Sequence, residues 1–233
     1  MPKFIFDVDG TLTPSRQRID KKFAVWFSRF CEDNTVYVVT GSDRDKTIEQ
    51  LGEFIYHKCA TVYQCSGNDV WVGDRQIRTS NWKLPNIAKQ FLINVLYESG
   101  FADRTGNHIE ERPGMVNFSI LGRGATKTQR HDYVLWDKKI NERSKIATSF
   151  NIMFPTLQAS VAGETGIDIS PKGSDKSQII EDFYPNDGDI YFFGDKCDIG
   201  GNDHSIALAL DERCGIVHHV KDWNETWKIL KEI

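Results

Sequence analysis

The chain has 233 residues, five of them cysteine, and a formal net charge of -4, which is ample length for a sizeable hydrophobic core without disulfides or structural metals. No lysine- and arginine-rich run stands out, which argues against nucleic-acid or membrane partners but leaves small phosphorylated molecules open. Because the N-terminal residues lack a signal-peptide pattern and the scattered cysteines lack CxxC spacing, we expect a cytoplasmic protein with reduced thiols.

The first part of the chain alternates between strand and helix patterns. The segments "PKFIFDVDG" and "TVYVVTGSD" are predicted to be strands buried by their apolar runs. Between them a helix is predicted to begin after Asp20 as N-cap, with Phe23, Phe27, Phe30 and Cys31 at helical spacing. The helical pattern returns in "DRDKTIEQLGEFI". This alternation predicts βαβ units and a parallel sheet.

The pattern of strand and helix signals changes over residues 82–171. Helical patterns occur in "NIAKQFLINVLYESG" and "TKTQRHDYVLWDKKINERSKIATSF", and strand patterns in "MVNFSILGR", "LQASVAG" and "GIDIS". We therefore predict a separate α+β insert over these residues. The apolar stretch "FLINVLY" within it could serve a homodimer interface or simply face the insert's own core.

The last part of the chain again alternates between strand and helix patterns. "GDIYFFGD" and "GIVHHV" are predicted strands, and "DWNETWKILKEI" is a capped helix with Trp223, Trp227 and Leu230 on one side. We predict that residues 1–81 and 172–233 form one α/β domain that the insert interrupts.

Polar residues follow the predicted strands of this α/β domain. Asp7 and Asp9 end the first strand, Thr40 and Ser42 follow the second, and Asp195 ends a later one, while Lys176 follows the loop "KGSD". Ligands of parallel α/β sheets lie beyond the carboxyl ends of the strands, so these groups are expected to converge. Converging carboxylates favour a hard cation such as Mg²⁺. A carboxylate can also attack phosphorus, and a second acid can transfer the proton.

A lone "DVDG" is also a common turn signal, because aspartate and glycine suit turn geometry. The set is more specific: "DVDGTLTPSRQRI", "GSD" at residues 41–43, "ERPGMVNFSILGR" and "IYFFGDKCDIGGNDH" occur in one order. In these motifs the chain resembles the haloacid dehalogenase superfamily and, within it, the eukaryotic-type phosphomannomutases. The resemblance implies an α/β fold with a Rossmannoid core, a parallel sheet and an inserted α+β cap domain that closes over a sugar phosphate.

The resemblance also implies roles for individual residues. Asp7 would be the nucleophile and Asp9 the general acid/base. Mg²⁺ would be held by Asp7, the backbone carbonyl of Asp9 and Asp195, with Asp203 as a possible support. The remaining residues would bind substrate and phosphate: Thr40, Ser42 and Lys176 at the reacting phosphate, Arg112, Arg123 and Arg130 at the non-reacting phosphate, Arg16 as a core arginine that helps on the other side, and Asn117 and Asp168 as polar neighbours.

The sequence departs from the family pattern in three places. Gly166 replaces a usual serine, "SGND" at residues 66–69 replaces an "ENG" turn, and "SIALALDE" replaces acidic residues after "GGNDH". The first departure removes a hydroxyl from the distal-phosphate site, and the third weakens the case for a secondary cation site.

The expected activity is a mutase that moves a phosphoryl group between positions 1 and 6 of a hexose, with a hexose bisphosphate as activator. The sequence leaves mannose against glucose open. A sugar-phosphate phosphatase with the same aspartates is the alternative, because water could accept the phosphoryl group instead. A pseudoenzyme or interaction module is the third reading, which the presence of Asp7, Asp9, Lys176 and Asp195 disfavours.

Overall fold

A computed structural model describes residues 2–183 and 188–233 and divides the chain into two compact units. The core unit comprises Met1–Ser80, Ser174–Ile199 and Asp203–Ile233, and the insert unit comprises Asn81–Gly173 and Gly200–Asn202. Residues 184–187, within the segment 172–233 predicted to complete the α/β domain, lie outside the described residues.

The described part of the core unit contains a seven-stranded sheet in the order β11-β10-β1-β2-β3-β4-β5. Its strands are β1 (Lys3–Phe6), β2 (Thr35–Val39), β3 (Thr61–Gln64), β4 (Asp69–Val72), β5 (Arg75–Thr79), β10 (Ile190–Gly194) and β11 (Ile216–His219). The five strands from β11 to β3 are parallel, as predicted, whereas β4 and β5 add an antiparallel hairpin at one edge.

Burial of the central strands explains their apolar sequences. Phe4, Ile5 and Phe6 of β1 are all buried, because both faces of this strand are covered. Phe6 is in register with Val38 of β2 and Phe193 of β10, so the three strands end at the same edge of the sheet. That edge is where the predicted polar residues follow.

Five α-helices and two 3₁₀ helices (Cys65–Gly67 and Lys176–Asp182) are described in the core unit. The α-helices are α1 (Lys21–Asp33), α2 (Arg44–Leu51), α3 (Glu53–Tyr56), α7 (His204–Asp211) and α8 (Trp223–Leu230). The Asp20 side chain accepts hydrogen bonds from the backbone of Lys22 and Phe23, which confirms the predicted N-cap. The helical pattern of residues 43–55 is two helices rather than one. Gly52, with φ of 80°, separates them.

The insert unit pairs a four-stranded antiparallel sheet, in the order β6-β7-β9-β8, with three described helices. Its elements are α4 (Asn86–Glu98), β6 (Ile109–Arg112), β7 (Met115–Phe118), α5 (Lys127–Ile140), α6 (Glu142–Met153), β8 (Leu157–Ala162) and β9 (Gly166–Pro171). Leu92 and Phe150 lie in a hydrophobic core within this unit, against which Phe91 packs, whereas Tyr97 is exposed. Most of "FLINVLY" therefore faces the unit's own core.

The predicted helical segment 126–150 also contains a break. Asn141 adopts a left-handed conformation with φ of 55° and ψ of 42°, and α5 ends where α6 begins. In residues 2–183 and 188–233, no helix is both long enough and apolar enough to span a membrane.

Candidate active site

Three carboxylates meet at the carboxyl edge of the core sheet. Asp7 directly follows β1, Asp195 directly follows β10, and Asp203 immediately precedes α7. One oxygen of each lies within 4.8 Å of the others. Asp7 and Asp203 are buried and Asp195 is half-buried, so their mutual repulsion is poorly screened by water.

Lys176 supplies a positive charge to this cluster. Its side chain is only 1% exposed, and its ammonium forms ion pairs with Asp7 and with Asp203, the latter at 2.6 Å. Burial lowers the pKa of Lys176, but the carboxylates of Asp203 and Asp7 outweigh burial, so the pKa is raised above its ordinary value. The lysine is therefore held charged between two carboxylates.

One lysine does not balance three acids. Burial raises the pKa of Asp7, and the nearby Asp203 and Asp195 add to the shift against the opposing effect of Lys176. Burial likewise raises the pKa of Asp195, whose Oδ1 is buried and has no hydrogen-bond partner among the described residues. Such an orphaned oxygen beside a second carboxylate fits a hard divalent cation.

Asp203 is the least available of the three to such a cation. Its Oδ1 accepts from Lys176, and its Oδ2 accepts from the backbone nitrogen of Lys196 at 3.2 Å. The donor set therefore favours Asp7 and Asp195 as ligands, with Asp203 holding Lys176 in place.

Asp9 is held beside this cluster by two hydrogen bonds. Its Oδ1 accepts from the side-chain amide of Gln50 at 3.0 Å and from the backbone nitrogen of Arg16 at 2.5 Å. The same Gln50 nitrogen lies 3.2 Å from the hydroxyl of Thr13. Gln50 is buried on α2 and was absent from the sequence prediction, although a polar residue on the buried face of a helix was a usable signal.

Gly10 allows the chain to pass close to Asp195. Its φ is 88°, and an added Cβ would lie 2.7 Å from Cγ of Asp195. Only glycine meets both demands at once, since other residues disfavour this φ and would displace the carboxylate.

The turn after β2 is held by hydrogen bonds from backbone nitrogens. The Thr40 hydroxyl accepts from the backbone nitrogen of Ser42 at 3.1 Å. The backbone of Thr40 and Ser42 also accepts from Ser66 and Cys65, at 2.8 and 3.0 Å. The "SGND" segment that departs from the family pattern thus supports this turn.

The same segment also contacts the 3₁₀ helix Lys176–Asp182 and the loop that precedes it. The Gln178 amide donates to the carbonyl of Ser66 at 2.8 Å, and the Asn68 amide approaches the carbonyl of Ser174 at 3.3 Å. Residues 66–69 therefore connect the Thr40–Ser42 turn with Ser174 and with the 3₁₀ helix that begins at Lys176.

Within the insert unit, two of the predicted arginines share one carboxylate. Glu110 on β6 binds Arg112 through Oε1, with Nε at 2.9 Å and Nη2 at 2.8 Å, and binds Nε of Arg123 through Oε2. Glu110 was not predicted from the sequence. Arg130 lies on α5, where it binds Glu164 at 2.8 Å and approaches the hydroxyl of Thr165 at 3.4 Å.

The predicted polar neighbours continue this network. Asn117 of β7 and Asp168 of β9 are cross-strand partners. The Asn117 amide donates to Asp168 at 2.5 Å, and its oxygen accepts from Nη2 of Arg123 at 2.6 Å. At Gly166, an added Cβ would lie 2.8 Å from Nδ2 of Asn117, so this amide occupies space that a larger residue would enter.

Comparison with known proteins decides the family. The model of the family "Eukaryotic phosphomannomutase" matches residues 24–233. The phosphomannomutase of Saccharomyces cerevisiae is 32% identical over 239 residues, covering 98% of this chain and 92% of the relative. The phosphomannomutase of Triticum aestivum is 33% identical over 240 residues, covering 98% and 94%. The chain belongs to the eukaryotic phosphomannomutase family.

The fold comparison agrees with the predicted class. A haloacid dehalogenase-like hydrolase from Bacteroides thetaiotaomicron superposes with a TM-score of 0.60 at 13% identity, covering 99% of this chain and 98% of that chain. The α/β core with a parallel sheet and the inserted α+β unit are thereby confirmed for this phosphomannomutase-family member, which is an enzyme like its curated relatives.

Proposed function

We propose that the chain is a Mg²⁺-dependent phosphomannomutase that interconverts mannose 1-phosphate and mannose 6-phosphate, with a hexose bisphosphate as activator. One observation carries the proposal: each unit contains its own cluster of charged side chains that could hold a phosphate. The core unit has Asp7 beside the buried Lys176, and the insert unit has Arg112 and Arg123 joined by Glu110. A mutase needs both, because its substrate carries a phosphate that reacts and one that does not.

The core site supplies the chemistry. A carboxylate oxygen of Asp7 attacks phosphorus of the bisphosphate, and the bond from phosphorus to the sugar oxygen breaks as the aspartyl phosphate forms. Asp9 donates a proton to the departing oxygen. In the second half, Asp9 takes the proton from a hydroxyl of the sugar monophosphate, which attacks the same phosphorus and releases Asp7.

The neighbouring groups prepare Asp7 and Asp9 for these steps. Lys176 offsets negative charge that accumulates as phosphate approaches Asp7, and Gln50 fixes the orientation of the Asp9 carboxylate. Asp7, Asp195 and the backbone carbonyl of Asp9 would hold Mg²⁺. Bound there, the cation would keep Asp7 ionised and withdraw electron density from the phosphoryl oxygens.

The arginines of the insert unit support a mutase over a phosphatase. Guanidinium groups bind phosphate through paired hydrogen bonds and stay charged, so Arg112, Arg123 and Arg130 are suited to hold the non-reacting phosphate. Hydrolysis requires only that water reach the aspartyl phosphate. Transfer back to sugar requires that the sugar be held in either orientation.

The experiment is a product analysis by phosphorus NMR. Purified protein is incubated with Mg²⁺, mannose 1-phosphate and a catalytic amount of hexose bisphosphate, and we expect the signal of mannose 6-phosphate to grow. Steady growth of inorganic phosphate without the 6-phosphate would replace the proposal with a phosphatase. Parallel incubation with glucose 1-phosphate tests the sugar.

We also propose a cytoplasmic location. None of the five cysteines forms a disulfide with another, which suits a reducing compartment. Fractionation of cells that express the protein would test the location, and co-purification with a secretory compartment would contradict it.

A further inference from the structure

Glu110 is a carboxylate placed between two arginines that the proposed function assigns to a phosphate. It contacts Nε of Arg112 at 2.9 Å and also Nε of Arg123. Because Nε lies on one edge of the planar guanidinium, these contacts fix the plane of each group. Arg123 receives a further restraint from the Asn117 oxygen at 2.6 Å.

The charges explain why such a residue is needed. Both arginine side chains are largely buried, at 12% and 28% exposed, and like charges at close range repel. Burial lowers the pKa of Arg123, with Arg112 adding to the shift and Glu110 opposing it. Burial raises the pKa of Glu110, but Arg112 and Arg123 outweigh it, so this pKa is lowered and the carboxylate stays ionised.

We propose that Glu110 is a positioning residue of the distal-phosphate site, which holds Arg112 and Arg123 side by side before the substrate's non-reacting phosphate binds. This inference rests on the proposed mutase function. Glu110 is not a catalytic residue, because it acts through the two guanidinium groups. Its effect therefore falls on the two steps that need the sugar to be held, which are phosphorylation of Asp7 by the bisphosphate and transfer of the phosphoryl group from Asp7 to the sugar monophosphate. Hydrolysis of the aspartyl phosphate by water does not need the sugar to be held.

The test compares two fates of the same aspartyl phosphate. For Glu110→Gln, which keeps the size and removes the charge, we measure isomerisation and release of inorganic phosphate in one reaction. The ratio of the two products does not depend on how much protein is folded. We expect the ratio of isomerisation to phosphate release to fall about tenfold and KM for mannose 1-phosphate to rise.

Two further variants complete the experiment. Glu111→Gln is the matched control, since Glu111 is the next residue on β6 and pairs instead with Lys83 and Lys89 on the surface. We expect its product ratio to equal that of the unmodified protein. Glu110→Asp retains the charge on a shorter side chain, and we expect it to recover part of the lost ratio.

The outcomes separate the two proposals. If the unmodified protein releases phosphate without isomerisation, the mutase function fails and the role of Glu110 fails with it. If the unmodified protein isomerises but Glu110→Gln leaves the product ratio unchanged, or lowers both reactions equally, the mutase function stands and the positioning role is overturned.

Discussion

Lys176 is a charged side chain that is buried in the core unit. It forms ion pairs with Asp7 and Asp203, so the positive charge of the lysine and the negative charges of the two carboxylates stabilise one another. Removal of one partner from a buried ion pair leaves an uncompensated charge, which costs about 3 to 5 kcal/mol of stability.

We predict that Lys176→Met lowers the free energy of unfolding by about 3 kcal/mol or more. Because the variant leaves three carboxylates without the lysine, added Mg²⁺ should restore more stability to it than to the unmodified protein. Urea unfolding with and without Mg²⁺ measures both effects. Lys196→Met is the control, since Lys196 is 43% exposed and lies 3.8 Å from Asp195. Equal losses in the two variants would contradict the assignment.

Gly10 gives a second prediction at this scale. In Gly10→Ala the new Cβ would meet the Asp195 carboxylate in addition to the unfavourable φ. Gly52→Ala is the matched control, since Gly52 has a φ of 80° and nothing within 4 Å of an added Cβ. We expect both variants to lose about 1 kcal/mol from the backbone alone, and only Gly10→Ala to lose more and to lose activity. Equal stability and activity would show that the close approach is unimportant.

Among the elements, the junction of α5 and α6 is where the sequence pattern was least informative. Asn141 is exposed, makes no side-chain capping hydrogen bond and adopts a left-handed backbone conformation. This conformation is strained for every residue with a Cβ, and asparagine tolerates it better than alanine.

We predict that Asn141→Gly stabilises the protein by up to about 1 kcal/mol and that Asn141→Ala destabilises it by about the same amount. Thermal unfolding of the two variants beside Ser144→Ala, an exposed position within α6, measures the difference. Stabilisation by alanine would mean that the two helices are continuous.

The elements also show what could be predicted from the sequence. β1, β2 and β10 were predicted because their apolar runs are buried on both faces and end in polar residues. β5 was missed because it is exposed throughout, so "RQIRT" carries no apolar alternation. The breaks at Gly52 and Asn141 were missed because the helical spacing of apolar residues continues across them.

The candidate site likewise contains some residues that were predicted from the sequence and others that were missed. Asp7, Asp195 and Lys176 were predicted because each follows a strand or a loop that has a recognisable pattern. Gln50 was missed because its partner Asp9 is distant in sequence, and Glu110 was missed because no sequence pattern showed that it joins the nearby Arg112 to Arg123. A sequence pattern shows which residues neighbour a given residue in the chain, but it does not show which side chains that residue contacts in the folded protein.

Under the proposed function, the whole molecule would divide chemistry and substrate holding between its two units. Asp7, Asp9 and Lys176 belong to the core unit, and Arg112 and Arg123 belong to the insert unit. Loss of the first function should therefore stop every reaction. Loss of the second should slow phosphorylation of Asp7 by the bisphosphate and transfer to sugar, but not hydrolysis of the aspartyl phosphate by water.

We predict that Asp7→Asn reduces isomerisation and phosphate release together by at least about a thousandfold, since the nucleophile is removed. Arg123→Ala should lower the ratio of isomerisation to phosphate release by about tenfold to a hundredfold, because hydrolysis of the aspartyl phosphate does not need the sugar to be held. Steady-state assay of both products in each variant measures this. Full turnover by Asp7→Asn, or an unchanged KM in Arg123→Ala, would refute the respective role.

The most direct measurement follows one phosphoryl group from Asp7 in a single turnover. The protein is phosphorylated with a labelled hexose bisphosphate, separated from it and mixed rapidly with unlabelled mannose 1-phosphate in the presence of Mg²⁺. The proposed function predicts that the label leaves Asp7 and appears on the sugar as a hexose bisphosphate. Label that appears instead as inorganic phosphate, at a rate unaffected by the sugar, would contradict it.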